Sequence, residues 1–156
     1  QGSYRRVYHV KILIISVGKE KDTATHDLIS EYEVRLLRHF PLEWLYLQHS
    51  SKEKESEQIF SHIKKEDYVV LLDEKGVLLN NVALAELVEN RMVDSTRRMV
   101  FVIGGAYGVN GEVFARAQYV WKLSSLVFPH RIVRVILLEQ LYRSMSILRG
   151  EKYHHD

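Results

Sequence analysis

The chain has 156 residues, of which 46% are hydrophobic and 27% charged, a length and balance typical of one globular domain. The longest early apolar run, ILIISV, is too short for a signal peptide, and no run reaches the ~20 residues that span a bilayer. The absence of cysteine excludes disulfides and thiolate metal sites and is consistent with a cytoplasmic location, while a net charge of only +2 excludes a general polyanion binder.

Five short apolar runs predict buried strands that alternate with helices. The predicted strands span 10–18, 42–48, 68–76, 99–105 and 119–124. Helical spacing predicts helices over 22–38, 51–65, a stretch that follows Asn80 or Asn81, 110–117 and 130–148. Asp22 or Thr23 can cap the first helix. The alternation predicts an α/β fold with a mainly parallel sheet flanked by helices.

Two of the predicted helices have unusual surfaces. The helix over 51–65 is rich in lysine and glutamate, and we expect it to present a solvated face, with no binding role for the region 50–57. The last helix, by contrast, has apolar residues over more than the single stripe of a surface helix. A helix with two apolar faces must bury both, and we expect the second face to pack on another copy of the chain. A homodimer is therefore predicted.

The two ends of the chain are basic and its middle is acidic. Residues 1–11 include Arg5, Arg6 and Lys11 and no acid, and residues 121–156 have six basic and three acidic side chains. If the ends meet in space they form a phosphate-attracting patch; otherwise they are scattered solvated charge. The first three residues, QGS, look like the remnant of a cleaved tag, so the expected domain is 4–156.

A glycine-rich loop, IGGAYGVNGE at 103–112, directly follows the fourth strand. It matches neither the dinucleotide-binding motif nor a P-loop. Two further segments, LLDEKG at 71–76 and KLSSLVFPH at 122–130, also follow strands, and ligands of parallel sheets bind at the carboxyl ends of strands. Their apolar side chains suit a flat aromatic ring such as adenine. Few cations are available for phosphate, apart from Lys75 and Lys122, which favours a nucleoside over a nucleotide.

Other kinds of chemistry have weaker support. His130 is distant in sequence from His154 and His155, and no His pair has helical metal-ligand spacing, so we expect no metal. The pair Ser124–Ser125 lies in no nucleophile elbow. By spacing alone, Glu139 and Arg143 form an i,i+4 surface pair.

The ordered segments LLDEKG, FVIGGAYG, LSSLVFPH, RVILLEQLYR and the terminal RGEKYHHD resemble the RlmH family of SPOUT-class methyltransferases. The resemblance extends from VKILIISVGK to the last residues. It implies a single domain with a trefoil knot near the C-terminus, an exception to the unknotted-chain rule. It also implies a homodimer packed through the knot, S-adenosylmethionine as cofactor, and transfer of methyl to N3 of a pseudouridine in large-subunit ribosomal RNA on the ribosome.

The resemblance also assigns site residues. Those implied to bind the cofactor are Leu72, Gly104, Leu123, Ser124, Ser125, Leu126, Val127 and Phe128. Tyr153 and His154 match the terminal Tyr-His pair and are implied at the methyl acceptor, and Arg143 is the third implied catalytic residue. Arg143 and His130 would support the tail or an RNA phosphate. Two alternatives stay open: a non-catalytic ribosome-binding knot protein, and a flavodoxin-like nucleotide binder. For the second, the segment SVGKEKD after the first strand lacks a phosphate-binding loop.

Overall fold

The computed structural model describes residues 10–18 and 22–155. Within them, five strands alternate with five helices along the chain. These elements are β1 (Lys11–Val17), α1 (Thr23–Leu36), β2 (Leu42–Leu47), α2 (Lys52–Ser61), β3 (Tyr68–Leu78), α3 (Asn81–Val93), β4 (Arg98–Ile103), α4 (Gly111–Arg116), β5 (Tyr119–Lys122) and α5 (His130–Leu148). The predicted series of elements is confirmed. The predictions for QGS, Arg5 and Arg6 concern residues outside the described ranges.

The strands form one sheet in the order β2-β1-β4-β3-β5, and every neighbouring pair is parallel. The predicted α/β class with a parallel sheet is therefore correct. The central strands β1 and β4 are almost wholly buried because helices cover both faces of the sheet. That burial explains why their sequences are uninterrupted apolar runs and do not alternate.

Helices cover the sheet in two layers. On one face, residues of α1, α3 and α5 pack with the strands in one hydrophobic core, which includes Ile29, Leu84 and Leu138. On the other face, α2 and α4 contribute Ile59 and Val113 to a second core. The predicted caps are present in this framework. The Asp22 side chain accepts from the backbone N–H of Ala24 at 3.2 Å, and Asn80 caps α3 in the same way.

The long helix α5 lies between α1 and α3 and contacts both. Its residues Leu137, Leu138, Leu141 and Met145 are buried in this position. Much of the broad apolar surface that predicted a dimer is therefore covered within one chain. The apolar surface of α5 therefore does not by itself require a second copy of the chain, and the homodimer stays a prediction.

A buried arginine ties α5 to the end of β1. Nε of Arg134 donates to Oγ of Ser16 at 2.7 Å, and Nη2 donates to the carbonyl of Gly18 at 2.7 Å. The guanidinium also lies over the ring of Tyr46. These contacts satisfy a charge that would be costly to bury without partners.

The third strand continues past the residue at which the sequence predicts its end. Leu72 and Val77 both pair with Trp121 of β5, and residues 73–76 leave the ladder between them. Gly76 permits this path, because a Cβ there would lie 2.5 Å from the carbonyl oxygen of Val120. The strand therefore ends at Leu78, and the acidic segment protrudes as a four-residue excursion.

None of the helices in residues 10–18 and 22–155 is long and apolar enough to cross a membrane. The trefoil knot implied by the family resemblance stays a prediction.

Candidate active site

A first cavity of about 500 Å³ lies at the carboxyl ends of β3, β4 and β5. All eight residues predicted to bind the cofactor line it. They are Leu72, Gly104, Leu123, Ser124, Ser125, Leu126, Val127 and Phe128. The topology explains the convergence, because parallel neighbouring strands bring the three following segments to one edge of the sheet. His130, at the start of α5, also lines this cavity.

Backbone forms much of the cavity wall on the β4 side. The glycine loop, defined here as residues 104–110, turns through a hydrogen bond from the N–H of Gly108 to the carbonyl of Gly105 at 3.0 Å. Gly108 has φ +77°, a conformation that L side chains rarely adopt. Glycine at this position therefore allows the tight turn that shapes this wall of the cavity.

The charges around the first cavity are mixed. Asp73 and Glu74 come from the β3 excursion, and Lys75 and Lys122 were expected from the sequence. Lys52 of α2 is a third lysine, which the sequence did not connect with this site. A volume in the usual range for small-molecule sites, apolar side chains and exposed main-chain groups fit an adenosine-containing ligand. The acids suit a ligand that also carries cationic groups.

A second cavity of about 400 Å³ adjoins the first, and the two share Leu123, Ser124 and Phe128 as lining residues. Its polar lining comes from α3 and α5. The residues that supply it are Asn80, Asn81, Gln140 and Arg143. The shared segment thus lies between the first cavity, which is lined by backbone, apolar and charged side chains, and a second cavity lined by amides and a guanidinium.

Glu139 of α5 links the chain terminus to the second cavity. Its Oε2 accepts from Arg143 Nη2 at 2.7 Å and from the hydroxyl of Tyr153 at 2.7 Å. Its Oε1 accepts from Gln140 Nε2 at 2.6 Å, and Gln140 Oε1 accepts from Asn81 Nδ2 at 2.8 Å. The Glu139–Arg143 pair is therefore part of a network and more than the exposed surface pair that its spacing indicates.

Tyr153 has two ring contacts and a hydroxyl contact within the chain. It lies edge-on to Tyr142, with centroids 4.8 Å apart, and under the guanidinium of Arg143 at 4.7 Å. Its hydroxyl also lies 3.3 Å from that of Tyr32 in α1. Burial raises the pKa of Tyr153 well above its usual value, and the hydrogen bonds to Tyr32 and Glu139 raise it further. The phenol therefore stays protonated and acts as a donor.

Arg143 fixes the orientation of His154. Nη1 of Arg143 lies 3.1 Å from Nδ1 of His154, and a guanidinium can only donate. Nδ1 must therefore accept, which leaves the proton of the neutral ring on Nε2. The hydrogen bond to Glu139 raises the pKa of Arg143, so this donor keeps its charge.

The structure thus brings the eight predicted cofactor residues to one cavity and the three predicted catalytic residues to one cluster. Arg143 lines the second cavity, but Tyr153 and His154 are not among the lining residues of either cavity described above. The tail residues reach the second cavity through Arg143 and Glu139.

Sequence reasoning missed two groups of residues. Glu139, Gln140 and Asn81 form the network beside the second cavity, and only the helical spacing of Glu139 and Arg143 signalled any of it. In α2, expected to be a solvated face, Glu55 and Ser56 are buried. Because both residues are polar and lie in a lysine- and glutamate-rich segment, the sequence predicted that they would be exposed. Among residues 10–18 and 22–155, no group of three His, Asp or Glu side chains could hold a metal ion.

The chain matches the family model described as a predicted SPOUT methyltransferase over residues 10–154, and it belongs to that family. Three curated relatives named "Ribosomal RNA large subunit methyltransferase H" assign it, within that family, to the RlmH family. The relative from Clostridium acetobutylicum is 37% identical over 158 residues, covering 93% of this chain and 99% of the relative. Relatives from Christiangramia forsetii (92% of this chain, 98% of the relative) and Parabacteroides distasonis (94% and 100%) are each 36% identical.

A solved structure supports the fold alone. It is that of a probable methylase family protein from Haemophilus influenzae Rd KW20, with a TM-score of 0.53 and 10% sequence identity. The match covers 96% of this chain and 72% of that chain.

Proposed function

We propose that this chain is an S-adenosylmethionine-dependent methyltransferase that methylates N3 of a pseudouridine in large-subunit ribosomal RNA. The observation that carries the proposal is the adjacency of two sites. The cavity lined by all eight predicted cofactor residues shares Leu123, Ser124 and Phe128 with a cavity lined by Arg143. Arg143 in turn contacts His154 and the ring of Tyr153. The names of the relatives support ribosomal RNA as the substrate.

The first cavity suits the cofactor because apolar side chains and the backbone of the glycine loop can hold its adenosine part, while Asp73 and Glu74 can face its sulfonium and ammonium charges. When bound there, S-adenosylmethionine supplies an electrophilic methyl group. Leu72 and the segment 123–128 would hold the adenosine part, and Gly104 would let the backbone approach it. The in-line orientation of donor and acceptor supplies much of the rate enhancement in such a transfer.

The second cavity suits the acceptor base. Its amides and the guanidinium of Arg143 can hydrogen-bond the uracil carbonyls, which are acceptors. Tyr153 donates its single hydroxyl proton to Glu139, so its role is to hold the tail and the guanidinium of Arg143 beside the base. In the tail position described, His154 offers its Nε2–H as a donor and so orients the base. The proton on N3 must leave for water, or for His154 once Arg143 has released Nδ1.

We also propose that the enzyme acts as a homodimer on the ribosome, which would place it in the cytoplasm. Large apolar side chains that are more than half exposed lie on segments beside the two cavities; these are Val77, Leu78, Val82, Tyr107, Leu126 and Val127. Exposed apolar surface next to a site is typical of an interaction face. A second copy of the chain, packed through the predicted knot, would cover it.

The test is methyl transfer to ribosomes from a strain that lacks the modification, with radiolabelled S-adenosylmethionine and mapping of the modified nucleotide. Incorporation at N3 of a single pseudouridine is expected. No incorporation, with the chain still bound to ribosomes, would favour the non-catalytic alternative. Calorimetry with S-adenosylmethionine and with FMN tests the flavodoxin-like alternative. A methyltransferase should bind S-adenosylmethionine and not FMN, whereas a flavodoxin-like protein should bind FMN.

A further inference from the structure

We propose that Glu55 is a positioning residue for the glycine loop of the first cavity, so that α2 sets the conformation that binds the cofactor. This inference rests on the proposed function, because it concerns S-adenosylmethionine bound in that cavity. Glu55 is not among the lining residues; it lies behind the loop that forms the wall.

The Glu55 carboxylate is buried and held from the connection between β2 and α2. Only 4% of its side chain is exposed. Its Oε2 accepts from the backbone N–H of Ser50 at 2.9 Å and lies 2.7 Å from Nδ1 of His49. A buried carboxylate with such partners has one defined orientation, because losing either contact would leave a charged group unsatisfied.

The other oxygen of this carboxylate packs against the glycine loop. A Cβ built on Gly105 would overlap Oε1 of Glu55. Glycine is needed at position 105 because the Glu55 carboxylate occupies the space that a Cβ would fill. An unusual backbone angle is not the reason. The two residues are complementary in shape, and each limits what the other can be.

A second attachment holds the far end of the same loop. Oγ of Ser56, which is 1% exposed, accepts from the backbone N–H of Asn110 at 2.9 Å. Nδ2 of Asn110 donates to Oε2 of Glu53 at 3.1 Å, while its Oδ1 caps α4 by accepting from the N–H of Val113. Glu53, Glu55 and Ser56, all in the first turns of α2, therefore hold the loop at Gly105 and at Asn110.

The functional consequence is preorganisation. Residues 104–109 all line the first cavity, so their backbone groups are presented to the ligand by a loop that α2 holds in place. Without the Glu55 contact, the loop must be ordered when the cofactor binds, and that ordering weakens affinity. Removal of Glu55 is expected to affect cofactor binding more than it affects the fold.

The experiment is a double-mutant cycle with Glu55→Ala and Gly105→Ala, read by calorimetry with S-adenosylmethionine. Each single variant is expected to weaken binding about tenfold or more. In the double variant the added methyl group enters the space left by the carboxylate, so the combined loss should be smaller than the product of the two. Glu57→Ala, an exposed residue of the same helix, is the matched control and should bind as the wild type does.

A second variant and readout separate positioning from folding. Glu55→Gln keeps the shape of the side chain, and we expect at least a threefold loss of affinity with faster hydrogen exchange of the loop amides at 104–110. Unchanged affinity and exchange in folded Glu55 variants, or a double variant at least as weak as the product of the single losses, would overturn the inference while leaving the proposed function intact. A wild-type chain that binds no S-adenosylmethionine would overturn both.

Discussion

The hydroxyl group of Tyr153 donates to Oε2 of Glu139 at 2.7 Å, and this contact docks the chain terminus on the middle of α5. The same oxygen accepts from Arg143, so one carboxylate organises both of its neighbours. A terminus would ordinarily be mobile. Here its aromatic and charged side chains have specific partners, which makes the tail a part of the proposed site that can be tested separately from the cofactor cavity.

Removal of the tail should separate binding from transfer. A chain that ends at Lys152 loses Tyr153 and His154 but keeps every lining residue of the first cavity. We expect its affinity for S-adenosylmethionine to stay within about twofold, and methylation of ribosomes to fall by roughly two orders of magnitude or more. Calorimetry and filter binding measure the two quantities. Lost cofactor binding with normal activity per bound cofactor would contradict the proposed role of the tail.

Glu139→Gln tests the hydrogen-bond network in which Glu139 accepts from Arg143 and Tyr153. The neutral amide is a weaker acceptor for the guanidinium of Arg143 and the phenol of Tyr153, so the tail should be less well positioned. We expect about a tenfold fall in kcat with little change in cofactor affinity. Glu31→Gln is the matched control, because Glu31 forms the same i,i+4 pair with Arg35 on the solvent-facing side of α1. Equal effects of the two substitutions would argue against a role for the network.

Two amide substitutions at His154 distinguish a donor from a general base. Glutamine can place an N–H where the histidine has Nε2, whereas asparagine reaches only the position of Nδ1. If His154 orients the base through Nε2–H, His154→Gln should retain activity within about tenfold, and His154→Asn should lose roughly a hundredfold or more. Comparable loss in both variants, together with disappearance of an acidic limb from the pH–rate profile, would instead identify His154 as the proton acceptor.

Tyr153 should make stability sensitive to alkaline pH. Burial and the contacts with Tyr32 and Glu139 raise its pKa above the ordinary value of 10.0, so the folded chain retains a proton that the unfolded chain loses. This contribution to the free energy of unfolding is complete below pH 10 and decreases as the pH rises above it. Urea unfolding of Tyr153→Phe, compared with wild type between pH 8 and about 11, should show a shallower alkaline decrease. Parallel curves would be inconsistent with a docked phenol.

Gly76→Ala tests the excursion of β3. The added Cβ would lie within 3 Å of the backbone of Val120 and Trp121, and backbone in a sheet cannot move aside. We expect the free energy of unfolding to fall by about 1 to 3 kcal/mol. Gly111→Ala is the control, because nothing lies within 4 Å of its Cβ position and it begins α4. That substitution should be neutral or stabilise by about 0.5 kcal/mol. Denaturant midpoints measure both effects.

Much of the fold could be predicted because its signals are local. Apolar runs fix the strands, and Asp22 and Asn80 mark helix starts through hydrogen bonds made within three residues. The continuation of β3 to Leu78 was missed because it depends on a close approach between Gly76 and another strand. No local pattern contains that information.

The sequence predicted the residues of the cofactor cavity and of the tail, but not the side chains that connect or support them. The apolar strand-end segments indicated a site for a flat aromatic ring, and the family resemblance then assigned the eight cofactor residues and the tail. The roles of Glu139 and Glu55 were missed for one physical reason: a glutamate on a helix has the same sequence signature whether its carboxylate faces water or a buried partner. Only the tertiary structure shows that Glu55 meets Gly105, fifty residues away in sequence.

The excursion of β3 has a further consequence for how this protein can be altered. Because Leu72 and Val77 both pair with Trp121, the register with β5 shifts across residues 73–76, and the parallel pairing then continues to Leu78 and Lys122. The intervening segment is thus decoupled from the hydrophobic core, although three of its residues line the first cavity. Changes of length or sequence between Asp73 and Lys75 are a route to altered ligand selectivity at little cost in folding, provided that Gly76 is kept.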